Sequence, residues 1–323
     1  MARIALDAMG GDNAPVETVA GAVLAAADGV EVVLVGAKEQ LQDELSFHHV
    51  DMEIVDAVDS IGMGDDPARA LREKPNSSIS VAARLVASGD AAGMVSAGST
   101  GAAMAAAAIL IGRIKGVARP SIASIFPTRG THTLVLDSGA NPEVTENHIY
   151  QFAVMGAVAA EALLGANNPR VGLLSIGEEK GKGRALEKAA YDLLSSSDLN
   201  FVGNVEGRDV DTDKADVFVT DGFTGNVFLK ATEGAVQLIS GLVAEELAKL
   251  SPEARSEAMP ALERIAERFD YETYGGGYLL GVDGVVVIAH GSSTRRAISN
   301  ALAMASEGAE KNIPQRIRQQ LDR

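Results

Sequence analysis

Short apolar runs, many of them β-branched, alternate along the chain with alanine-rich stretches of helical period. Such alternation is typical of βα units and predicts an α/β fold with a parallel sheet. The predicted strands are Arg3–Ala8, Glu31–Gly36, Glu53–Ala57, Gly93–Ala97, Ile122–Pro127, Thr133–Asp137, Val171–Ile176, Phe201–Asn204, Val217–Thr220 and Val285–Ala289. The predicted helices include Val16–Ala27, Ile79–Ser88, Gly101–Ile111, Val144–Leu164, Ala185–Ser195 and Val227–Leu250.

Residues 251–271 depart from this pattern, because they are charged, contain Pro252 and Pro260 and lack a strand-like run. We interpret them as a helical excursion from the α/β body, formed by two short helices. No fixed-period repeat or clear linker interrupts the rest of the chain. Residues 1–323 are therefore expected to form one α/β unit, or two lobes that share a sheet.

Two local signals refine this picture. Asn141 followed by Pro142 predicts a helix start, with Asn as the cap and Pro in the first helical position. The run Gly275–Gly277 is either a site where a substrate approaches the backbone closely or a flexible turn.

Composition narrows the possible functions. The 323 residues include 44 Asp and Glu against 28 Lys and Arg, which gives a formal net charge of −16 and argues against a nucleic-acid binder. The chain has no Cys, which excludes disulfides, thiolate metal sites and a Cys nucleophile. The first residues do not resemble a signal peptide, and the weakly polar run Gly101–Gly112 is too short to span a bilayer. We expect a soluble protein, compatible with the cytosol, that can still meet a membrane surface.

Gly, Ser, Thr and Asn cluster where predicted strands end. Backbone N–H groups at such turns, together with the positive end of a helix dipole, bind anions. One turn of this kind is usually structural, but six of them predict a floor for phosphate-sized anions at the carboxyl edge of the sheet. The candidate binding residues are Asp7, Gly10, Gly11, Ser96, Gly98, Ser99, Thr100, Gly101, Asn141, Asp221, Gly222, Thr224, Gly225, His290, Gly291 and Ser292.

Few side chains suggest a specific chemistry. Lys182 lies on a glycine-rich loop beside Glu178 and Glu179, where it either steadies a phosphate or forms a solvated ion pair. The aspartates Asp7, Asp137 and Asp221 follow strands and can act as acids, orienting groups or turn caps. The histidines lack metal-ligand spacing, and only His290 is placed for chemistry, although a structural hydrogen bond is its commoner role. Neither a P-loop, a G-x-G-x-x-G motif nor a G-x-S-x-G elbow occurs.

Several motifs together resemble one family from end to end of the chain. They are DAMGGDNAP at 7–15, SAGSTGA at 96–102, DSGAN at 137–141, IGEE and KG within 176–183, GNVEGRD at 203–209, DVFVTDGFTGNVFLK at 216–230, YGGGYLLG at 274–281 and AHGSS at 289–293. In this order they resemble the phosphate acyltransferases of bacterial phospholipid synthesis, the PlsX family.

The resemblance implies a Rossmann-like three-layer αβα fold with a mostly parallel sheet, similar to phosphotransacetylases and isocitrate-type dehydrogenases, with a protruding helical tip. It implies transfer of a fatty acyl group from acyl carrier protein to inorganic phosphate, without a metal or redox cofactor. The resulting acyl phosphate would pass to a membrane-bound glycerol-3-phosphate acyltransferase. It also implies a cytoplasmic homodimer that associates peripherally with the membrane.

Residue by residue, the family's catalytic lysine matches Lys182, and its asparagine in DGFTGN matches Asn226. The sequence departs from the family at Ser99, Ser138, Ser175 and Arg184. Residues 251–271 correspond to the family's membrane-touching tip. The apolar stripe of this tip faces either lipid or a second subunit; it consists of Met259, Leu262, Ile265 and Phe269.

The residues suit direct attack by phosphate on the thioester, without an acyl-enzyme. An acidic carrier protein would need a local basic patch on this acidic chain, and two segments are candidates. They are Arg113, Lys115 and Arg119 in one, and Lys311, Arg316 and Arg318 in the other. Two other functions remain open, namely an isocitrate-type NAD(P)-dependent dehydrogenase and a non-catalytic anion-binding scaffold for lipid enzymes.

Overall fold

The fold is that of a computed structural model, which describes residues 2–128 and 132–322. Its strands are β1 (Arg3–Asp7), β2 (Glu31–Gly36), β3 (Ile54–Asp56), β4 (Gly93–Ser96), β5 (Ser121–Pro127), β6 (His132–Leu136), β7 (Val171–Leu174), β8 (Phe201–Val205), β9 (Val217–Val219), β10 (Gly277–Leu280) and β11 (Val285–Ile288). Its α-helices are α1 (Val16–Ala27), α2 (Lys38–His48), α3 (Pro67–Glu73), α4 (Ser78–Ser88), α5 (Thr100–Ala106), α6 (Glu146–Leu164), α7 (Ala185–Ser195), α8 (Gly222–Ala248), α9 (Pro252–Phe269), α10 (Tyr271–Tyr274), α11 (Arg295–Glu310) and α12 (Ile313–Leu321). A π-helical turn (Ala107–Ile111) extends α5, and a 3₁₀ turn (Gly207–Asp211) follows β8.

These strands form one sheet in the order β3-β2-β1-β4-β11-β10-β5-β6-β9-β7-β8. The first five strands in this order are parallel to one another, and so are the last four. Between them, β11–β10, β10–β5 and β5–β6 pair antiparallel. Because an odd number of antiparallel pairings separates the two groups, their strands point in opposite directions. The predicted mostly parallel sheet is confirmed, whereas this reversal was not predicted.

Helices cover both faces of the sheet, because successive strand residues point to opposite sides. Ile4 and Leu34 pack with Val19 of α1 and Ile298 of α11 on one face. The neighbouring residue Ala5 packs with helices α4 and α5 on the other face. This three-layer arrangement confirms the predicted fold class.

The glycines at 275–277 have a packing role that the sequence did not reveal. Residue 277 begins β10, a strand that was not predicted. A Cβ on Gly276 would lie 2.4 Å from the carbonyl oxygen of Ile288, and one on Gly275 would lie 2.3 Å from the backbone nitrogen of Ala301. These glycines are therefore needed for close packing, but they pack against the protein's own backbone and not against a substrate.

The predicted helix start at Asn141 is wrong. Helix α6 begins at Glu146 with Thr145 as its cap, and the Thr145 backbone N–H donates to His148 Nδ1 at 3.0 Å. Asn141 lies five residues before the helix, in the turn after β6, where its backbone N–H and side-chain amide both donate to Asp137 Oδ2.

The helical excursion is larger and simpler than predicted. Residues 252–269 form the single helix α9, with Pro260 inside it, instead of two short helices. This helix packs along α8, and together they form a helical hairpin, residues 222–269. Among the described residues, α8 alone is long and apolar enough to cross a membrane by length and composition, and none of its apolar stretch is buried.

Candidate active site

The strand reversal divides the predicted site residues between two edges of the sheet. The carboxyl ends of β1, β4 and β11 lie at one edge, which we call the Asp7 edge. The carboxyl ends of β6, β9 and β7 lie at the opposite edge, which we call the Asp137 edge. Two strands, β10 and β5, lie between β11 and β6, so even the nearest members of the two groups are about 14 Å apart across the sheet alone. The prediction of one continuous anion-binding floor is therefore wrong within a single chain.

At the Asp137 edge, one buried carboxylate shapes the turn after β6. Asp137 Oδ1 accepts hydrogen bonds from the backbone N–H groups of Ile122, Gly139 and Ala140 at 2.9–3.2 Å. Its Oδ2 accepts from the backbone and side chain of Asn141 at 2.8 and 2.7 Å. The Asn141 side chain also donates to the Pro120 carbonyl at 2.7 Å. Asp137 is thus an organiser of the turn, and Asn141 is committed to holding it.

The N-terminus of α8 packs against this turn at the closest distance that glycine permits. Gly222 N–H donates to the Asn141 carbonyl at 2.8 Å. A Cβ on Gly225 would lie only 1.9 Å from the Asp137 carbonyl oxygen, so a side chain cannot be accommodated there without movement. This contact brings Asn226 against Gly139, whose added Cβ would lie 3.7 Å from Asn226 Cγ. Gly222 and Gly225 were predicted as binding residues. In the structure they allow the close packing that positions Asn226.

The cap of α8 explains the roles of two further predicted residues. Asp221 Oδ1 accepts from the Thr224 backbone N–H, and Oδ2 accepts from the Thr224 hydroxyl, both at 2.8 Å. Burial acts to raise the pKa of Asp221, but hydrogen bonds from Thr224 and Arg184 outweigh it and hold the pKa below its usual value. Asp221 is therefore an ionised helix cap rather than an acid catalyst.

Lys182 lies on the loop after β7, at the same edge. Its side chain is 51 % exposed, and its Nζ lies 4.0 Å from Glu179 Oε2. The neighbouring Lys180 is paired more closely, with its Nζ 2.9 Å from Asp192. Lys182 is thus a loosely paired cation that an anion from solvent can reach.

Arg184 joins this loop to α8, and sequence reasoning noted it only as a departure from the family. Its guanidinium pairs with both Glu187 and Asp221. Both carboxylates raise the pKa of Arg184 further, so it stays charged but is already neutralised. Arg184 therefore links the loop that carries Lys182 to the helix that carries Asn226. The available sequence signal was its position directly after Gly183 and three residues before Glu187.

The Asp7 edge holds the other predicted residues. Asp7 Oδ2 accepts from the Ser96 hydroxyl at 2.7 Å, and Ser96 Oγ accepts from the Gly98 N–H at 3.1 Å. Burial raises the pKa of Asp7. Added Cβ atoms on Gly10 and Gly98 would contact the Asp7 carboxylate.

The turn after β11 meets the turn after β1 at this same edge. Asp12 N–H donates to the Gly291 carbonyl at 2.8 Å, and Gly11 approaches the same carbonyl. The Nδ1 atom of the exposed His290 lies 2.8 Å from Ser292 Oγ. Ser99 follows β4 at this edge and directly precedes α5, whose first residues are Thr100 and Gly101. Within residues 2–128 and 132–322, no three His, Asp or Glu side chains are arranged to hold a metal ion.

Comparisons with known proteins agree with this architecture. The profile of the family described as "Fatty acid synthesis protein" matches residues 2–316. A phosphate acyltransferase of Desulforamulus reducens is 47 % identical over 100 % of this chain and 98 % of its own length. One from Gloeobacter violaceus is 48 % identical, over 99 % of this chain and 96 % of its own length.

Solved structures share the fold at low identity. A phosphotransacetylase from Streptococcus pyogenes has a TM-score of 0.62 at 19 % identity, over 96 % of this chain and 94 % of that one. A 4-hydroxythreonine-4-phosphate dehydrogenase from Klebsiella pneumoniae has a TM-score of 0.55 at 13 % identity, over 96 % of this chain and 100 % of that one. These likenesses concern the fold alone. The full-length matches to curated relatives show that the chain is an enzyme of the phosphate acyltransferase family, which serves phospholipid synthesis.

Proposed function

We propose that the chain transfers a fatty acyl group from the thioester of acyl carrier protein to inorganic phosphate, giving acyl phosphate. A phosphate oxygen attacks the thioester carbonyl carbon and forms a tetrahedral oxyanion. The C–S bond then breaks, the carrier leaves as a thiolate, and the new C–O bond remains in the acyl phosphate. The observation that carries this proposal is the loosely paired Lys182, on a loop tied through Arg184 to the helix that bears Asn226.

The two residues have separate tasks in this reaction. The Lys182 ammonium offsets the charge of phosphate, whereas the Asn226 amide donates a hydrogen bond to the oxyanion. Phosphate is already nucleophilic near neutral pH and a thiolate leaves readily, so neither a strong base nor a strong acid is needed. The chain has no Cys, and we propose direct attack without a covalent acyl-enzyme. Labelled acyl chain retained on denatured protein after a single turnover would contradict direct attack.

A homodimer forms part of the proposal. The exposed side chains of Val227, Leu238 and Leu242 lie on one face of α8, and a second copy would remove them from water. A second copy is also needed if Asp7-edge residues are to touch the substrate that Lys182 holds, because one chain places them at opposite edges.

The proposed location is the cytoplasmic face of the membrane. The turn that joins α8 to α9 is the end of the helical hairpin away from the sheet, and it carries the exposed Leu250, which can insert among lipid headgroups. The exposed Ile265 extends this apolar surface along α9. An acyl phosphate with a long chain would then be released where a membrane-bound glycerol-3-phosphate acyltransferase can use it.

Replacement of Lys182 tests the chemistry. Lys182→Ala should lower kcat about 10²–10³-fold, the usual cost of one oxyanion or phosphate donor, without loss of folding. Lys180→Ala is the matched control, since Lys180 lies on the same loop and pairs with Asp192. Acyl phosphate is measured from purified protein, acyl carrier thioester and phosphate with a chelator present. Equal activity of both variants would refute the role of Lys182, and activity that the chelator abolishes would favour a metal-dependent reaction.

A further inference from the structure

A cationic segment interrupts this acidic chain at Arg113–Arg119. No Asp or Glu occurs in the sequence between Asp90 and Asp137, although the chain contains 44 of them. Arg113, Lys115 and Arg119 are all exposed. Within the described part of the chain, no carboxylate forms a salt bridge with any of the three, whereas most other cations of the chain have one. The segment is therefore a local positive surface on a molecule of net charge −16.

The backbone beneath these cations is firmly held. Ile114 N–H donates to the Gly281 carbonyl at 3.0 Å, and the Ile114 side chain is buried. Gln151 of α6 donates to the Gly116 carbonyl and accepts from the Ala118 N–H, at 2.8 and 2.9 Å. Ile114 and Gln151 thus anchor the backbone of the segment, and the charged side chains lie at the surface.

The fold brings a cation from the second basic segment to the same place. Arg113 forms a β-bridge with Val282, and the next residue, Asp283, forms a salt bridge with Arg318 of α12. Neither cation adds unpaired positive charge there, because Arg318 pairs with Asp283 and Lys311 pairs with Glu307 of α11. Two stretches that lie far apart in sequence therefore meet around the turn between β10 and β11.

The basic surface, which consists of Arg113, Lys115 and Arg119, adjoins the Asp137 edge. Arg119 donates to the Glu143 carbonyl at 3.3 Å, and the next residue, Pro120, accepts from the Asn141 side chain at 2.7 Å. Asn141 in turn accepts from Gly222 at the start of α8. The basic surface therefore lies beside the turn against which the start of α8 packs.

We propose that the basic surface is where an acidic acyl carrier protein docks. The inference rests on the proposed function, and it adds the partner's position. Two acidic proteins repel each other at long range, but within about 10 Å, the Debye length at 0.1 M salt, the local cations dominate the encounter. A carrier bound there would be beside the Asp137 edge, so the thioester on its flexible arm could reach Lys182 and Asn226.

Charge reversal separates docking from chemistry. Arg113→Glu with Lys115→Glu should raise the KM for acyl carrier protein about tenfold at low salt and leave kcat unchanged. The effect should shrink in 0.5 M salt, and the KM for a short acyl-pantetheine thioester should not change. Lys38→Glu with Arg72→Glu is the matched control, since both residues are exposed and make the same change in formal charge. Lys115→Glu alone repeats the test without removing the Arg113 hydrogen bond to Ala118.

Calorimetric binding of holo-carrier protein provides a readout that does not depend on turnover. Weaker binding by the Arg113/Lys115 variant, with control binding unchanged, supports docking even if no acyl phosphate is formed and the proposed reaction fails. An unchanged KM and unchanged binding would overturn the docking site while leaving the reaction intact. Equal losses in the control would also overturn it, because net charge alone would then explain the effect. Loss of anionic vesicle binding with carrier binding unchanged would assign the surface to lipid instead.

Discussion

Gly225→Ala tests whether close backbone packing positions Asn226. The added methyl would lie 1.9 Å from the Asp137 carbonyl oxygen, whereas ordinary contact begins at 3.4 Å. The start of α8 or the Asp137–Asn141 turn must therefore move by about 1.5 Å. Overpacking of this kind costs about 1–3 kcal/mol of unfolding free energy. A displacement of this size at a catalytic group lowers kcat about 10²-fold, because the reacting groups lose their alignment.

Gly64→Ala is the control, because no heavy atom lies within 4 Å of its added Cβ and its φ is not in the left-handed region. It should change the unfolding free energy by no more than about 0.5 kcal/mol. Urea denaturation followed by circular dichroism gives the stability of both variants, and acyl phosphate formation gives kcat. If Gly225→Ala were as stable and as active as the unmodified chain, the packing argument would be refuted. A loss of activity without a loss of stability would indicate that Gly225 contacts substrate directly.

Three further predictions concern other parts of the molecule. Asp137→Asn should lower the unfolding free energy by about 3–5 kcal/mol, because an amide cannot accept all five N–H donors; equal urea midpoints would contradict this. Hydrogen bonds from Arg170 hold the pKa of Asp216 below its usual 3.8, so the ionised form stabilises the fold. The stability difference between the unmodified chain and Asp216→Asn should be fully present above about pH 4 and disappear as the pH falls through the lowered pKa, and a pH-independent difference would disprove the linkage. Leu238→Asp with Leu242→Asp should raise the dissociation constant of the dimer at least about tenfold, as measured by analytical ultracentrifugation. An unchanged distribution of monomer and dimer would exclude this face of α8 from the dimer.

Local sequence signals predicted many elements correctly. Val16–Ala27, Glu31–Gly36 and Ala185–Ser195 have the same bounds in the structure as in the prediction. These segments have a clear period, and Gly or polar residues mark their ends. Errors occurred where a distant contact overrides the local signal. Asn141 has the features of a helix cap, but its contacts with the Pro120 carbonyl and the Gly222 N–H hold it in the turn after β6.

The candidate site likewise combines features that local sequence predicted with features that depend on tertiary contacts. Its residue types and motifs, including Lys182 and Asn226, were predicted from the sequence through the family resemblance. The link made by Arg184 was not, because its partner Asp221 lies on a different strand and loop. The meeting of Arg113 with Arg318 also depends on the turn at Val282 and Asp283, which only the folded chain brings between them.

By itself, the sequence determined the fold class, the chemical character of the strand ends and the family. The hydrophobic period and the turn-forming residues involve only a few neighbouring positions, so they can be recognised from the sequence. The tertiary structure alone decided which strand ends face the same way. The short strand β10, hidden in a glycine-rich run, pairs antiparallel with both β11 and β5. With the β5–β6 pairing it reverses the second half of the sheet, so Asp7 and Lys182 lie at opposite edges of one chain.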